Sequence, residues 1–325
     1  MSQSRLTLAL EGHGFDLPEG EIAVFAPRAG ADLGALERAR VRIIQPNRVD
    51  YEAFRRAGYA CDVVEAGRYG AAIVFLPRAK QLARDLIARA VAVADLVIVD
   101  GQKTEGADSL LKECKKRAEI GGVLSKAHGK LFWFQGGDFN DWRAVPTQVD
   151  GFVTRAGVFS ADGIDPASRL LAKTLPAKLG RNVADLGAGW GYLAREILAR
   201  ETVETLYLVE ADHVALDCAR ENVTDPRAEF HWADATTWEA RARMDAVVMN
   251  PPFHTGRSAE PALGEAFIAA AARMLAPTGQ LWLVANRHLP YEAALRERFG
   301  AVEEVAGDGR FKVLHAARPS RVRRG

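Results

Sequence analysis

The tetrapeptide Asn250-Pro251-Pro252-Phe253 is the segment whose residue types could most directly do chemistry. It follows the apolar run Ala246 to Met249, at the kind of place where a ligand crevice opens in an α/β sheet. Two prolines fix φ and remove two N–H donors, so the turn is stiff and presents acceptors: the Asn250 side-chain oxygen and the Pro251 carbonyl. A planar exocyclic amine has a delocalised lone pair and is a poor nucleophile. Two acceptors on its hydrogens would orient it and raise its electron density toward a methyl group. Phe253 adds a face for stacking a base, worth ~1–3 kcal/mol in single-strand binding. Alone, Asn-Pro-Pro would be an unremarkable turn; its position downstream of a glycine loop favours the catalytic reading. His254 follows directly, and its plainer reading is a solvated loop histidine.

That glycine loop is Val183-Ala184-Asp185-Leu186-Gly187-Ala188-Gly189-Trp190-Gly191, an apolar strand running into a turn that opens a helix. Alternate glycines remove Cβ atoms and let a ligand lie against the backbone. A nicotinamide-binding loop is a rival reading, but it wants a third glycine where Leu193 stands. The next strand ends Leu208-Val209-Glu210-Ala211-Asp212. Glu210, at its tip, is placed to accept from both hydroxyls of a ribose, whereas Asp212 reads as a helix cap. The third strand ends at Ala233-Asp234, a carboxylate that could accept from an adenine amino group or simply make a turn.

Positioning these groups requires strands alternating with helices. Helices are expected around Pro166–Leu175, Tyr192–Arg200, Val214–Val223 and Glu265–Leu275. Strands are expected at Asn182–Asp185, Thr205–Glu210, Glu229–His231, Asp245–Met249 and Gln280–Ala285, with a final pair near Val302–Glu304 and Lys312–Ala316. The first half has the same cadence: short apolar strands at Ile22–Ala26, Val41–Gln45, Cys61–Glu65, Ala72–Leu76 and Leu96–Asp100, with helices near Ala79–Ala94 and Asp108–Glu119. Turn formers between Gln135 and Gly157 mark a boundary. The expected plan is a first domain over 1–140, a linker and cofactor-covering segment over 141–160, and a second domain over 161–325. Leu96 to Gly101 mirrors Ala246 to Pro251, which suggests a duplicated fold with one degenerate copy.

The 325 residues suit two domains, and 48% hydrophobic with 26% charged residues gives each a normal core. A net charge of +1 excludes a globally basic coat, so contact with nucleic acid would have to come from patches. Candidates are Lys112, Lys115 and Lys116 on one helical face, then Lys126, His128 and Lys130, then Arg318, Arg321, Arg323 and Arg324. A solvated helix face and a disordered basic tail are equally good readings. No apolar run approaches the ~20 residues of a membrane span, and the first ten residues make a poor signal peptide, so a cytoplasmic protein is expected. Cys61, Cys114 and Cys218 are too scattered for a disulfide framework or a zinc site, and no metal is expected.

Asp185 to Gly191 together with Asn250 to Phe253 resembles the class I methyltransferases that act on amino groups. The likeness extends through Val158-Phe159-Ser160-Ala161-Asp162-Gly163-Ile164-Asp165, through Asn250 to His254, through Val284-Ala285-Asn286 with Leu289-Pro290-Tyr291, and through Gly309-Arg310-Phe311-Lys312-Val313. Together these are similar to the RsmC-type small-subunit rRNA guanine-N2 methyltransferases over nearly all of residues 155 to 318.

The resemblance implies an α/β chain of two tandem Rossmann-like methyltransferase domains. The first would be degenerate, without a cofactor site; the second would have a seven-stranded, mostly parallel sheet with helices on both faces. It implies S-adenosylmethionine as cofactor, with Gly187 and Gly189 beside its methionine part, Glu210 at the ribose and Asp234 on the adenine side. Asp185 would support the loop or the cofactor's amino group through water, and Phe159 would lie in a segment folding over the cofactor. It implies Asn250, Pro251, Pro252 and Phe253 as the catalytic turn, and 16S rRNA or the small ribosomal subunit as partner of a monomeric enzyme.

In the first half, Ala26-Pro27-Arg28-Ala29-Gly30 lacks alternating glycines, and Asp100-Gly101-Gln102-Lys103 is expected where the catalytic turn would fall. Three other readings stand beside this one. A sister family modifies large-subunit rRNA. A protein-glutamine N-methyltransferase would typically carry Tyr where Phe253 stands and a helical N-terminal domain. A catalytically silent ribosome-assembly factor would have no need of the intact glycine loop, Glu210 and Asn250.

Overall fold

The computed structural model describes residues 4–12, 15–252 and 261–320. Its contacts divide the chain into two units, Met1–Pro146 and Thr147–Gly325. The stretch 141–160 is thereby shared between them rather than standing apart.

The first unit holds seven strands: β1 (Ile22–Phe25), β2 (Val41–Ile44), β3 (Ala60–Asp62), β4 (Ala71–Phe75), β5 (Leu96–Gln102), β6 (Ile120–Lys126) and β7 (Gly129–Gln135). Their order in the sheet is β3-β2-β1-β4-β5-β7-β6, with β7 antiparallel to both of its neighbours. Helices α1 (Arg5–Glu11), α2 (Arg48–Arg56), α3 (Lys80–Val93) and α4 (Ala107–Cys114) complete it.

The second unit opens with a hairpin, β8 (Thr147–Val149) and β9 (Phe152–Thr154). Its main sheet comprises β10 (Asn182–Leu186), β11 (Thr205–Glu210), β12 (Ala228–Trp232), β13 (Met244–Met249), β14 (Leu275–Asn286), β15 (Phe299–Gly307) and β16 (Phe311–Pro319). The order is β12-β11-β10-β13-β14-β16-β15, the same permutation as in the first unit. Helices are α5 (Pro166–Thr174), α6 (Tyr192–Leu198), α7 (His213–Asn222), α8 (Pro261–Met274) and α9 (Tyr291–Arg298).

The central strands are apolar almost throughout because both faces of a parallel sheet are covered. Along β13, Val247 and Met249 enter one core with Phe267 and Leu283, while Ala246 and Val248 enter the other with Leu193 and Val284. This period of two is the pleat itself.

The shared strand order corrects the internal alignment expected from sequence. Leu96–Gln102 is the fifth strand of its sheet and corresponds to β14, not to β13. The counterpart of β13 is β4: Phe25 pairs with Val74 as Leu186 pairs with Met249. The position of Asn250 is therefore taken in the first unit by Phe75, followed by Leu76, Pro77 and Arg78, and not by Asp100 to Lys103. A strand-for-strand echo could not reveal this, because any two buried parallel strands look alike in composition.

Candidate active site

The glycine loop follows β10 without a break. Gly187, Gly189 and Gly191 have φ of 74°, 55° and 92°, the left-handed region that a side chain resists. At Gly191 a Cβ would also sit 2.8 Å from Val223 Cγ2, so the start of α6 packs against α7 only as glycine. A Cβ on Gly189 would meet no atom within 4 Å. That residue's backbone borders open space.

This space is a cleft lined by Phe159, Ser160, Asp165, Ser168, Gly187, Ala188, Gly189, Trp190, Tyr192, Leu193 and Asn250. Four residues singled out from sequence thus meet at one place: Phe159, Gly187, Gly189 and Asn250. β10 and β13 are adjacent and parallel, which brings their C-terminal ends together. The Asn250 amide donates from Nδ2 to Asp165 Oδ2 at 3.0 Å and to Ser168 Oγ at 2.8 Å. Its Oδ1 is buried and accepts from nothing among the described residues. Pro251 and Pro252 follow; Phe253 and His254 lie outside the described residues.

Asp185, on β10, is fully buried, and neither carboxylate oxygen has a hydrogen-bond partner among the described residues. Burial, and after it the charge of Glu210, pushes its pKa up to about 8. Glu210 ends β11. Its Oε2 accepts from the Gly189 N–H at 2.8 Å and its Oε1 from the Asp212 N–H at 2.7 Å. Loss of hydration raises its pKa to about 7, against the pull of those N–H groups. Asp212 is the N-cap of α7, accepting from the Val214 N–H at 2.9 Å, as its position suggested. Asp234 lies beyond β12 and makes an Asx turn, its Oδ1 accepting from the N–H and hydroxyl of Thr236 at 2.8 and 2.6 Å. Glu210 reaches the glycine loop through the Gly189 N–H, but Asp185, Glu210 and Asp234 are not among the residues lining the cleft.

The segment around Phe159 is tied down from several sides. Phe159 is 58% exposed, so it is not packed in a core. Its carbonyl accepts from the Trp190 indole N–H at 2.8 Å. Ser160, at φ 52°, donates to the Gly163 carbonyl, and Thr154 to that of Ala161. Asn222 joins the hairpin to the loop by donating to the carbonyls of Val153 and Trp190, both at 2.8 Å.

The model of the methyltransferase small domain matches residues 150–315. The chain belongs to the methyltransferase small-domain family. Within it the RsmC type is supported by a relative from Hahella chejuensis, a ribosomal RNA small subunit methyltransferase C. That protein is 30% identical over 263 residues, which span 75% of this chain and 76% of the relative. A ribosomal RNA large subunit methyltransferase G from Streptomyces avermitilis is 36% identical over 167 residues, but these span 50% of this chain and 44% of that one. Among solved structures, the T. thermophilus 16S rRNA N2 methyltransferase RsmC, in complex with AdoMet and guanosine, superposes with a TM-score of 0.78 at 25% identity. The match covers 93% of this chain and 89% of that one.

The residues of this methyltransferase site fit S-adenosylmethionine on three observations. The Gly189 backbone leaves open space, the buried Asp185 carboxylate has no hydrogen-bond partner among the described residues, and Glu210 turns a two-oxygen acceptor onto the glycine loop through the Gly189 N–H. Among the described residues no group of three or more His, Cys, Asp or Glu could hold a metal ion.

Asp165 and Ser168 were not singled out as site residues from sequence. Asp165-Pro166 is legible as a helix start, a capping acid followed by proline at the first helical position. Their contact with Asn250, 85 and 82 residues away, leaves no local trace. Trp190 was also silent, because a bulky residue in a glycine loop has no general meaning.

Proposed function

We propose that this chain transfers a methyl group from S-adenosylmethionine to the exocyclic N2 amine of a guanine in 16S rRNA of the small ribosomal subunit. The observation that carries the reading is the Asn250 amide: both donors are used by Asp165 and Ser168, and Oδ1 is left beside the glycine loop as a buried acceptor with no partner among the described residues. When bound, S-adenosylmethionine supplies a methyl group already activated by its sulfonium, so the protein's task is binding and orientation. Gly187 and Gly189 would border the methionine part, Glu210 the ribose and Asp234 the adenine, with Asp185 supporting the cofactor's amino group. Phe159 would cover the bound cofactor. The guanine would leave its stack, rest on Phe253 and give its two amine hydrogens to Asn250 Oδ1 and the Pro251 carbonyl. Near-attack placement can contribute up to ~7–11 kcal/mol. No strong base is needed, because attack of the amine on the methyl group would give a methylated ammonium, a strong acid that loses its proton to water, and leave the cofactor as a neutral thioether.

The small subunit is favoured over the large one by coverage. The small-subunit relative spans 75% of this chain and the T. thermophilus structure 93%, whereas the large-subunit relative spans 50%. The first unit would position rRNA through exposed Lys112, Lys115 and Lys116. Lys130 pairs with Asp108 at 3.2 Å. Arg321, Arg323 and Arg324 lie outside the described residues. Among the described residues no helix is long and apolar enough to cross a membrane. The chain would act as a monomer in the cytoplasm, where ribosomal particles are.

The test is methyl transfer from labelled S-adenosylmethionine to unmodified small subunits and naked rRNA, with mass spectrometry locating N2-methylguanine. Asn250→Ala should abolish it. Label on protein would instead select glutamine methylation; cofactor binding without any transfer would select an assembly factor.

A further inference from the structure

We propose that Asp165 and Ser168 are positioning residues that fix the polarity of the Asn250 amide. This rests on the functional reading above and deepens it. An asparagine side chain is close to symmetric in shape, so the turn that carries it does not decide whether oxygen or nitrogen meets the substrate. The partners decide. A carboxylate oxygen of Asp165 at 3.0 Å can only accept, so the group facing it must be Nδ2; the reverse orientation would set two acceptors against each other. Ser168 Oγ, at 2.8 Å, takes the second amide hydrogen. With both donors consumed, Asn250 has an acceptor and nothing else to offer, and that acceptor is the buried atom that has no partner among the described residues. A guanine N2 amine presents only hydrogens in its plane. An amide turned the other way would meet them with its own hydrogens.

The lock is itself held rigid. Asp165 caps α5, its Oδ2 also accepting from the Ser168 N–H at 2.8 Å, so one carboxylate oxygen serves both the helix and Asn250. Ser168 is nearly buried, on the first turn of the same helix. The device therefore spans the start of α5 and the end of β13, the two elements bounding the cleft on that side.

Four variants test this. Asp165→Ser keeps a helix-capping oxygen, since serine caps as well as aspartate, but its side chain is too short to reach Asn250 as well. Asp165→Asn keeps an oxygen able to serve both partners and acts as the rescue. Ser168→Ala removes the other acceptor at a helical position that alanine favours. Asn250→Ala is the reference, alone and combined with Asp165→Ser.

We expect kcat of Asp165→Ser to fall about 10- to 100-fold, the scale seen when partners orienting a metal ligand are removed. KM for rRNA, the dissociation constant for S-adenosylmethionine and Tm should hold, Asp165→Asn should recover most of the loss, and the double variant should be no worse than Asn250→Ala. Full activity in Asp165→Ser, loss carried by KM or Tm, or additive loss in the double variant would overturn the lock.

A second readout needs no substrate. The ¹⁵N side-chain amide protons of Asn250, assigned by their disappearance in Asn250→Ala, should exchange slowly with solvent in the wild type and faster in Asp165→Ser. Equal exchange rates would refute the lock even if the enzyme methylates guanine. A wild type that methylates nothing would refute the functional reading, and exchange would then decide the lock alone.

Discussion

Glu210 and Gln45 occupy the same register position in the two sheets. Each follows the residue paired with the end of the first strand, Val209 opposite Leu186 and Ile44 opposite Phe25. Each accepts at its side-chain oxygen from the N–H two residues on, Asp212 at 2.7 Å and Asn47 at 2.9 Å, and those residues cap α7 and α2. The difference lies at the second atom. Glu210 Oε2 accepts from the Gly189 N–H, whereas Gln45 Nε2 donates to the Pro27 carbonyl at 2.7 Å. Where the second unit has an acceptor turned to the glycine loop, the first unit has a donor satisfied within its own backbone.

From this pair we predict opposite outcomes for exchanging acid and amide. Glu210→Gln should weaken S-adenosylmethionine binding about 10- to 100-fold, as expected when a charged acceptor worth ~1.5–3 kcal/mol becomes neutral. Gln45→Glu should bind no cofactor and should destabilise the chain by ~1–3 kcal/mol, because a buried carboxylate would then face the Pro27 carbonyl with no donor between them. Calorimetric titration and urea unfolding measure the two effects.

The two carboxyls beneath the loop predict a pH dependence. Asp185 and Glu210 have folded pKa values raised to about 8 and about 7 from ordinary values near 4, so the native chain holds protons that the unfolded chain has released. The stability they allow is fully present below pH ~4 and is lost as pH rises through their folded values, to about 8. Asp185→Asn, which keeps the shape and cannot ionise, should flatten the fall in unfolding free energy between pH 5 and pH 8. In the wild type, cofactor binding should tighten over the same interval, because a cationic amino group favours the ionised acids and expels their protons. Calorimetry in buffers of different ionisation enthalpy would register that release; an unchanged slope in Asp185→Asn would show that the protons come from elsewhere.

Much of this site was readable from residue order because its parts are local. A glycine loop, an acid at the tip of the next strand and a rigid turn after the fourth strand are each defined by neighbours a few positions apart. The second sheet's strands were therefore expected within a few residues of where they lie. Elements whose apolar stripe is thin escaped: α2 has Phe54 as its one buried residue, and α1 is a seven-residue helix that buries Leu6 and Ala9. The hairpin of Thr147–Val149 and Phe152–Thr154 was read as linker because turn formers surround it. What sequence order could not supply is contact across the fold: Asp165 with Asn250, Asn222 with Val153 and Trp190, and the pairing that sets Phe75, not Asp100, at the catalytic position of the first unit.

Trp190 supplies a third prediction. Its indole N–H holds the Phe159 carbonyl, and its ring is buried against Phe152 with centroids 4.8 Å apart. Trp190→Phe should keep most of the ring packing and lose the hydrogen bond, whose net value of ~0.5–1.5 kcal/mol corresponds to about a 2- to 12-fold change. We expect that change in the affinity for S-adenosylmethionine, with Tm lowered only slightly, because the bond tethers a covering segment and not a core. A large drop in Tm with unchanged affinity would mean that the segment is structural and does not cover the cofactor.

The last prediction concerns how a chain of net charge +1 holds a polyanion. Steering by overall charge is absent, so phosphate contacts must be few and local, and each should appear in the salt dependence of binding. Each neutralised phosphate contributes about 0.7 to 0.9 to the slope of log affinity against log salt. Lys112, Lys115 and Lys116 are exposed at the end of α4. If all three engage phosphates, replacing them together with alanine should flatten the slope by about 2 to 2.7 and weaken rRNA binding at low salt far more than at high salt. The same variant should bind S-adenosylmethionine as the wild type does, since none of the three lines the cleft in the second unit. A slope that does not move would remove this face from the rRNA footprint.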